Sequence, residues 1–147
     1  MIRSEKGVSA VEFALIVPLL FVLTFGIIEF ALLLFDKAVV TNASREGARA
    51  AIVYHFDGSN YAPLTDAKIK EVVTDYTQGY LVNLGKANNT PVVDVDPPEP
   101  RVSGGDVTVT VTFTYDFLIL PDLSKLLGGS TFTGTVDLVG KTTMRME

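Results

Sequence analysis

Val8–Phe35 reads VSAVEFALIVPLLFVLTFGIIEFALLLF, and only Glu12 and Glu29 in it carry charge. Phe13–Phe35 alone makes a helix of roughly 35 Å at about 1.5 Å per residue, against a hydrocarbon thickness of about 30 Å. The stretch therefore reads as a membrane span with some tilt. Arg3 and Lys6 precede it together with the terminal amine, whereas the far side opens on the self-cancelling pair Asp36 and Lys37. The positive-inside bias puts the amino terminus in the cytoplasm and the bulk of the chain outside. A secretory signal peptide also begins basic and continues apolar, but its apolar core is about 7–15 residues long and ends at a small-residue cleavage site. Here the run is longer and no A-x-A pattern follows it.

A plain anchor does not account for Glu12. An ionised carboxylate at the centre of a span costs at least about 2.5–3.5 kcal/mol and usually marks function. Glu12 lies only a turn or so into the span, where the cost is smaller. Gly7 supplies a reason for it. A cut after Gly7 makes Val8 the new terminus, with its amine four residues before Glu12 on the same helical face. That positive charge, together with the positive end of the helix dipole, stabilises the carboxylate where lipid would otherwise neutralise it. The pairing can form within one chain or between neighbours, and only the second builds a polymer.

These residues carry a resemblance. Gly7-Val8-Ser9-Ala10-Val11-Glu12-Phe13 resembles the prepilin peptidase site of type IV pilins: a basic leader, Gly at the cut, Glu as fifth mature residue and an aromatic after it. The Glu12-Phe13 pair is similar to the Tad (tight adherence, Flp) branch. Phe25-Gly26-Ile27-Ile28-Glu29-Phe30, Asn42-Ala43-Ser44-Arg45-Glu46-Gly47-Ala48-Arg49 and the terminal Met144-Arg145-Met146-Glu147 resemble the TadE-like pseudopilin family. The major pilin of such a system is little more than the helix, whereas here a long segment follows it. The resemblance implies a minor pilin-like subunit of the Tad pilus, processed by a membrane aspartyl prepilin peptidase and required for pilus assembly. Its implied partners are that peptidase, other pilin-like subunits, the inner-membrane assembly platform and the lipid bilayer. Processing would remove Arg3, Glu5 and Lys6 and leave the mature chain more acidic by one unit.

Composition narrows the alternatives. The chain has 147 residues, 48% apolar and 20% charged, with no Cys, no Trp, one His and a net charge of −5. Without cysteine there are no disulfides, thiolate zinc sites or thiol nucleophiles. The lone His55 removes multi-histidine metal sites and makes a serine triad a poor fit. An acidic balance argues against non-specific nucleic-acid binding, which needs surplus Lys and Arg.

Nothing from Asp36 to Tyr54 breaks a helix except Gly47, so the span is expected to continue outward as one rod. Ala43, Gly47 and Ala51 recur along it as a small-residue stripe that admits close approach. Its partner is either the subunit's own domain or another subunit. Arg45, Glu46 and Arg49 decorate this region as solvated charges or local pairs, or as part of that interface. Within the span, Pro18 cannot donate to the carbonyl of Ala14, and Pro18 and Gly26 mark a kink or a segment able to stretch when the subunit leaves the bilayer. Glu29 is rotated by about 260° from Glu12 at about 100° per residue, so the two share no face. Its simplest fate is snorkelling to water near the outer interface, with a contact to another subunit as the alternative.

Phe56–Asp66 reads as a loop. Thr65 can cap the next helix, with Leu64 and Ile69 as a hydrophobic staple. Ile69, Val72, Val73, Tyr76 and Tyr80 recur at helical spacing as an apolar face, with core packing the expected role of the tyrosines, and Gly85 stops the helix. Thr90–Val95 is a short strand before Pro97, Pro98 and Pro100. Asp106–Tyr115 alternates strictly, Val107, Val109, Val111, Phe113 and Tyr115 against four threonines. Phe117–Leu127 is apolar with a proline, a short helix or hydrophobic loop, and Gly128-Gly129 end it. Thr131–Met146 is a last strand with bulges or bends at Gly134 and Gly140.

The expected class is α+β: a long N-terminal transmembrane helix continuing into a periplasmic helix, a second amphipathic helix, and a small three- to four-stranded antiparallel sheet. The division is leader 1–7, transmembrane helix 8–35, extracytoplasmic continuation 36–54 and periplasmic domain 55–147. No acid, base and nucleophile set emerges, so the chain reads as a substrate of one enzyme and not itself an enzyme, with no cofactor and no metal. Asp94, Asp96, Glu99 and Asp106 read as a solvated acidic edge; calcium is the alternative. Asp57-Gly58-Ser59-Asn60 is a turn, since no glycine-lysine-hydroxyl ending follows. The rival function is a membrane-anchored periplasmic binding or adhesin module outside any filament.

Overall fold

The computed structural model describes residues 3–56, 58–82, 90–118 and 134–146. Helix α1 runs from Arg3 to Ile52, through Pro18 without a break and about 75 Å long. It is followed by β1 (Tyr54–Phe56), β2 (Tyr61–Pro63), α2 (Asp66–Thr77), β3 (Val92–Asp96), β4 (Asp106–Asp116) and β5 (Thr135–Arg145). The architecture is α+β, with two antiparallel sheets of two and three strands.

The three-stranded sheet has the order β3-β4-β5. Its central strand is the strictly alternating segment, and the alternation sorts its faces: Val107, Val109, Val111, Phe113 and Tyr115 are buried. Buried Val40, Ala43, Ala48 and Ala51 of α1 and Ile69 and Val73 of α2 complete the core with them. The threonine face stays wetter, and Thr108 pairs by hydroxyl with Thr143 at 2.8 Å while Thr114 donates to Asp137 at 2.7 Å.

The β4–β5 register is uninterrupted from Asp106↔Arg145 to Asp116↔Thr135, so Gly140 makes no bulge. It is where the sheet meets α1: a Cβ there would lie 2.5 Å from the Val40 carbonyl oxygen. Gly134, at φ +76°, does bend the chain into β5. The helix expected to reach Tyr54 stops at Ile52, and Tyr54–Phe56 instead forms β1, which pairs with β2 in the segment expected to be a loop, from Tyr54↔Pro63 to Phe56↔Tyr61.

Thr65 caps α2, its hydroxyl accepting from the Lys68 amide at 3.4 Å, with Ile69 buried and Leu64 packed against the core. The helix ends earlier than its apolar spacing suggests. Gly79 at φ +87° follows the cap residue Gln78, and the buried face is Ile69, Val73 and Thr77. Tyr76 and Tyr80 are therefore exposed and pair with each other at a ring separation of 6.2 Å, outside the core. Gly85, Ile119–Leu127, Gly128-Gly129 and Thr131–Thr133 lie outside the described residues.

Candidate functional site: the long helix

The segment Gly7–Phe13 lies on the exposed inner part of α1. Val8, Val11 and Phe13 are more than half exposed, and a Cβ on Gly7 would meet nothing within 4 Å. Glu12 is exposed and stands one turn after Val8 on the same helix face. Among the described residues nothing lies against Gly7–Phe13, as a processing enzyme or a neighbouring helix requires. Further along, Gly26 opens a shallow apolar groove of about 510 Å³ lined by Val22, Leu23, Ile27, Phe30, Ala31 and Leu34.

Glu29 corrects the snorkelling expectation. Its side chain is 3% exposed and does not reach water. The end of β4 and the residues just past it lie against it: the Leu118 amide donates to its carboxylate, and the Tyr115 hydroxyl approaches its backbone carbonyl at 3.5 Å. Burial, with Glu29 and Asp36 nearby, pushes the Tyr115 phenol above its usual value near 10. One turn or two further out, Asp36 is fully buried and accepts from the Val82 amide at 2.9 Å. Beside it the Lys37 ammonium donates to the carbonyl of Val139 on β5. Sequence periodicity gives no sign of these contacts, since each joins α1 to a residue far along the chain.

The small-residue stripe is covered within the chain. Ala43, Gly47 and Ala51 are buried, and a Cβ on Gly47 would stand 2.6 Å from a methyl of Val73 and 3.1 Å from one of Val109. Of the two partners open to it, the subunit's own domain is the one in place. Arg45, Glu46 and Arg49 lie around its rim. Arg49 binds Glu46 through two nitrogens at 2.9 and 3.2 Å, and Arg45 reaches Asn42 at 3.5 Å. Glu46 and Arg49 also border a groove of about 340 Å³ with Val53, His55, Leu64 and Val72.

Arg101 is a further residue that the sequence pattern did not single out. Its side chain is buried, with Nη1 donating to the Leu64 carbonyl at 2.8 Å, Nε to Pro97 at 3.2 Å, and Nη2 against the Asp66 carboxylate. Burial lowers its pKa from the usual arginine value. Glu99 accepts from the Asp66 amide, so this proline-rich turn clamps the start of α2. With Glu99 so engaged and Asp94 and Asp96 on β3, no group of three or more His, Asp or Glu side chains fit to hold a metal ion forms among the described residues.

Among the described residues, then, α1 is long and apolar enough to cross a membrane at one end and forms the core of an α+β domain at the other. This arrangement is consistent with membrane anchoring through α1. Residues 7–49 match the family described as TadE-like protein, a match that suggests a protein associated with the Tad pilus. It takes in the Gly7–Phe13, Phe25–Phe30 and Asn42–Arg49 blocks and stops before the globular strands. No curated protein and no solved structure matches the chain.

Proposed function

We propose that the protein is a minor pilin-like subunit of a Tad pilus. In this reading prepilin peptidase cuts after Gly7, and the helix then enters or primes the assembly. The amino terminus is cytoplasmic, the sheet domain is periplasmic, and the chain does no catalysis of its own. The observation that carries the reading is the exposed, unbroken helix bearing Gly7, Val8, Glu12 and Phe13 inside the TadE-like match. Among the described residues nothing covers Phe13, which is 69% exposed, so that face is available to a neighbour. After cleavage, Glu12 would neutralise the ammonium of Val8 on an adjoining subunit, removing two isolated charges from the membrane at once. The apolar groove at Gly26 offers a second place for a neighbouring helix to approach.

The test is the mature terminus. Intact mass of the protein from membranes that contain the peptidase should show loss of residues 1–7, and a Gly7 variant blocked to cleavage should retain Arg3 and Lys6. Glu12→Gln should insert normally yet reduce assembly. A native chain that keeps its leader where sister subunits are trimmed would leave only the anchored binding module, for which Arg3 and Lys6 simply stay in place.

A further inference from the structure

The sheet domain touches α1 well inside the apolar stretch. Among the described residues, contact begins at Glu29, held by Leu118 and Tyr115, and continues through the partly buried Leu32 and Leu33. On the other side of the helix Phe30, Leu34 and Phe35 stay exposed, continuing the apolar sleeve of the inner helix past the level where the domain starts. From Gly7 to Ile28 the helix is about 33 Å long, which matches about 30 Å of hydrocarbon. A bilayer with both headgroup layers is roughly 40–45 Å thick, which leaves about 5–7 Å for each layer, the rise of about four or five residues. With Gly7–Ile28 across the hydrocarbon, residues 29–33 fall in the headgroup layer, and so does what is packed against them.

What is packed there suits that layer. Tyr115 and Phe117 stack edge to face at 5.3 Å, and Leu118 beyond them is 49% exposed. Tyr115 is buried with its hydroxyl on the Glu29 carbonyl, so the surface offered at this level is that of Leu118 and of the partly buried Phe117. Asp116 lies on the opposite face of the strand with Asp137 nearby on β5, so the carboxylates stay on the threonine side, toward water. We propose that the segment just past β4, Phe117-Leu118, rests in the phospholipid headgroup layer, so that the domain sits on the bilayer instead of standing clear of it. The carboxylate of Glu29 is accommodated in the same layer because the domain covers it and donates an amide to it. The occupant of this apolar tip is lipid, since its surface is continuous with that of the span.

The inference rests on the membrane reading of α1, and the test separates the two. The chain has no tryptophan, so a single introduced one reports one place. Leu19→Trp, Leu118→Trp and Val92→Trp are made singly in the full chain, at positions that are exposed. Each is reconstituted in phosphatidylcholine vesicles with or without lipid brominated high on the acyl chain. The expected result is strong loss of emission for L19W, a clear intermediate loss for L118W, and none for V92W. If L19W is quenched and L118W behaves like V92W, the resting tip is wrong and the span stands. If L19W is not quenched, both fall. If the L118W signal tracks the protein-to-lipid ratio, a second copy covers the tip and the lipid assignment is overturned.

Discussion

The two halves of α1 are one continuous helix built for different surroundings. The inner half turns Val11, Phe13, Leu15, Leu19, Phe21 and Leu23 outward, and glycines there face open space. The outer half buries Val40, Ala43, Ser44, Gly47, Ala48 and Ala51 under α2 and the sheet. Side-chain size marks the change. Large apolar groups suit lipid, which fills around them, whereas small ones let a fixed strand or helix approach to backbone distance.

Substitutions matched across the two halves test this contrast. Phe113→Ala, at the centre of the outer half's core, should lower domain stability by about 3–5 kcal/mol, read as a fall in thermal midpoint in detergent. Phe21→Ala on the inner half should leave that midpoint in place, because its ring faces outward. Glycine gives the next step. Gly140→Ala drives a Cβ into the Val40 backbone and should cost about 1–3 kcal/mol, whereas Gly26→Ala meets nothing within 4 Å and should leave the domain unaffected. Equal losses for the members of either pair would break the distinction.

Smaller effects sharpen it. Ser44 and Thr142 share a hydroxyl bond of 2.8 Å between helix and sheet, and Ser44→Ala should cost about 1 kcal/mol in a denaturant titration. At the junction of the halves, the raised Tyr115 pKa gives an alkaline dependence. Below about pH 10 the phenol is protonated folded and unfolded, and its contribution is complete. As pH rises through the unfolded value toward the higher folded one, the unfolded chain releases its proton first and stability falls. Tyr115→Phe should flatten that limb of the pH profile, and an unchanged slope would remove Tyr115 as its source.

Much of this plan is legible in the sequence because it rests on local periodicity. The apolar run, the alternation of β4 and the Thr65 cap each show their structure within a dozen residues or so. What is hidden depends on distant partners. Glu29 is buried by residues at the far end of β4, and no count of helical spacing reveals it. Gly140 resembles a bulge until the helix beside it is known. The hairpin β1-β2 has strands of three residues each, too short for alternation to register, and the turn at Gly58 is its strongest local mark. The tyrosines at 76 and 80 keep helical spacing, but α2 ends at Thr77. For the candidate site, Gly7, Glu12 and Phe13 are readable as a motif, whereas the covering of the Ala43, Gly47 and Ala51 stripe needed α2 and β4 in place.

The domain has no swivel on α1, because the rod whose apolar part is long enough to cross a membrane is also a wall of its core. Turning or lifting that rod turns or lifts the sheet with it, degree for degree, so the compass bearing of the threonine face is set by the helix beneath. A soluble fragment begun after Ile52 would lose Val40, Ala43, Ala48 and Ala51 from its interior. Any severing of head from stem must therefore fall on the near side of Glu29, where the first clasp among the described residues is made.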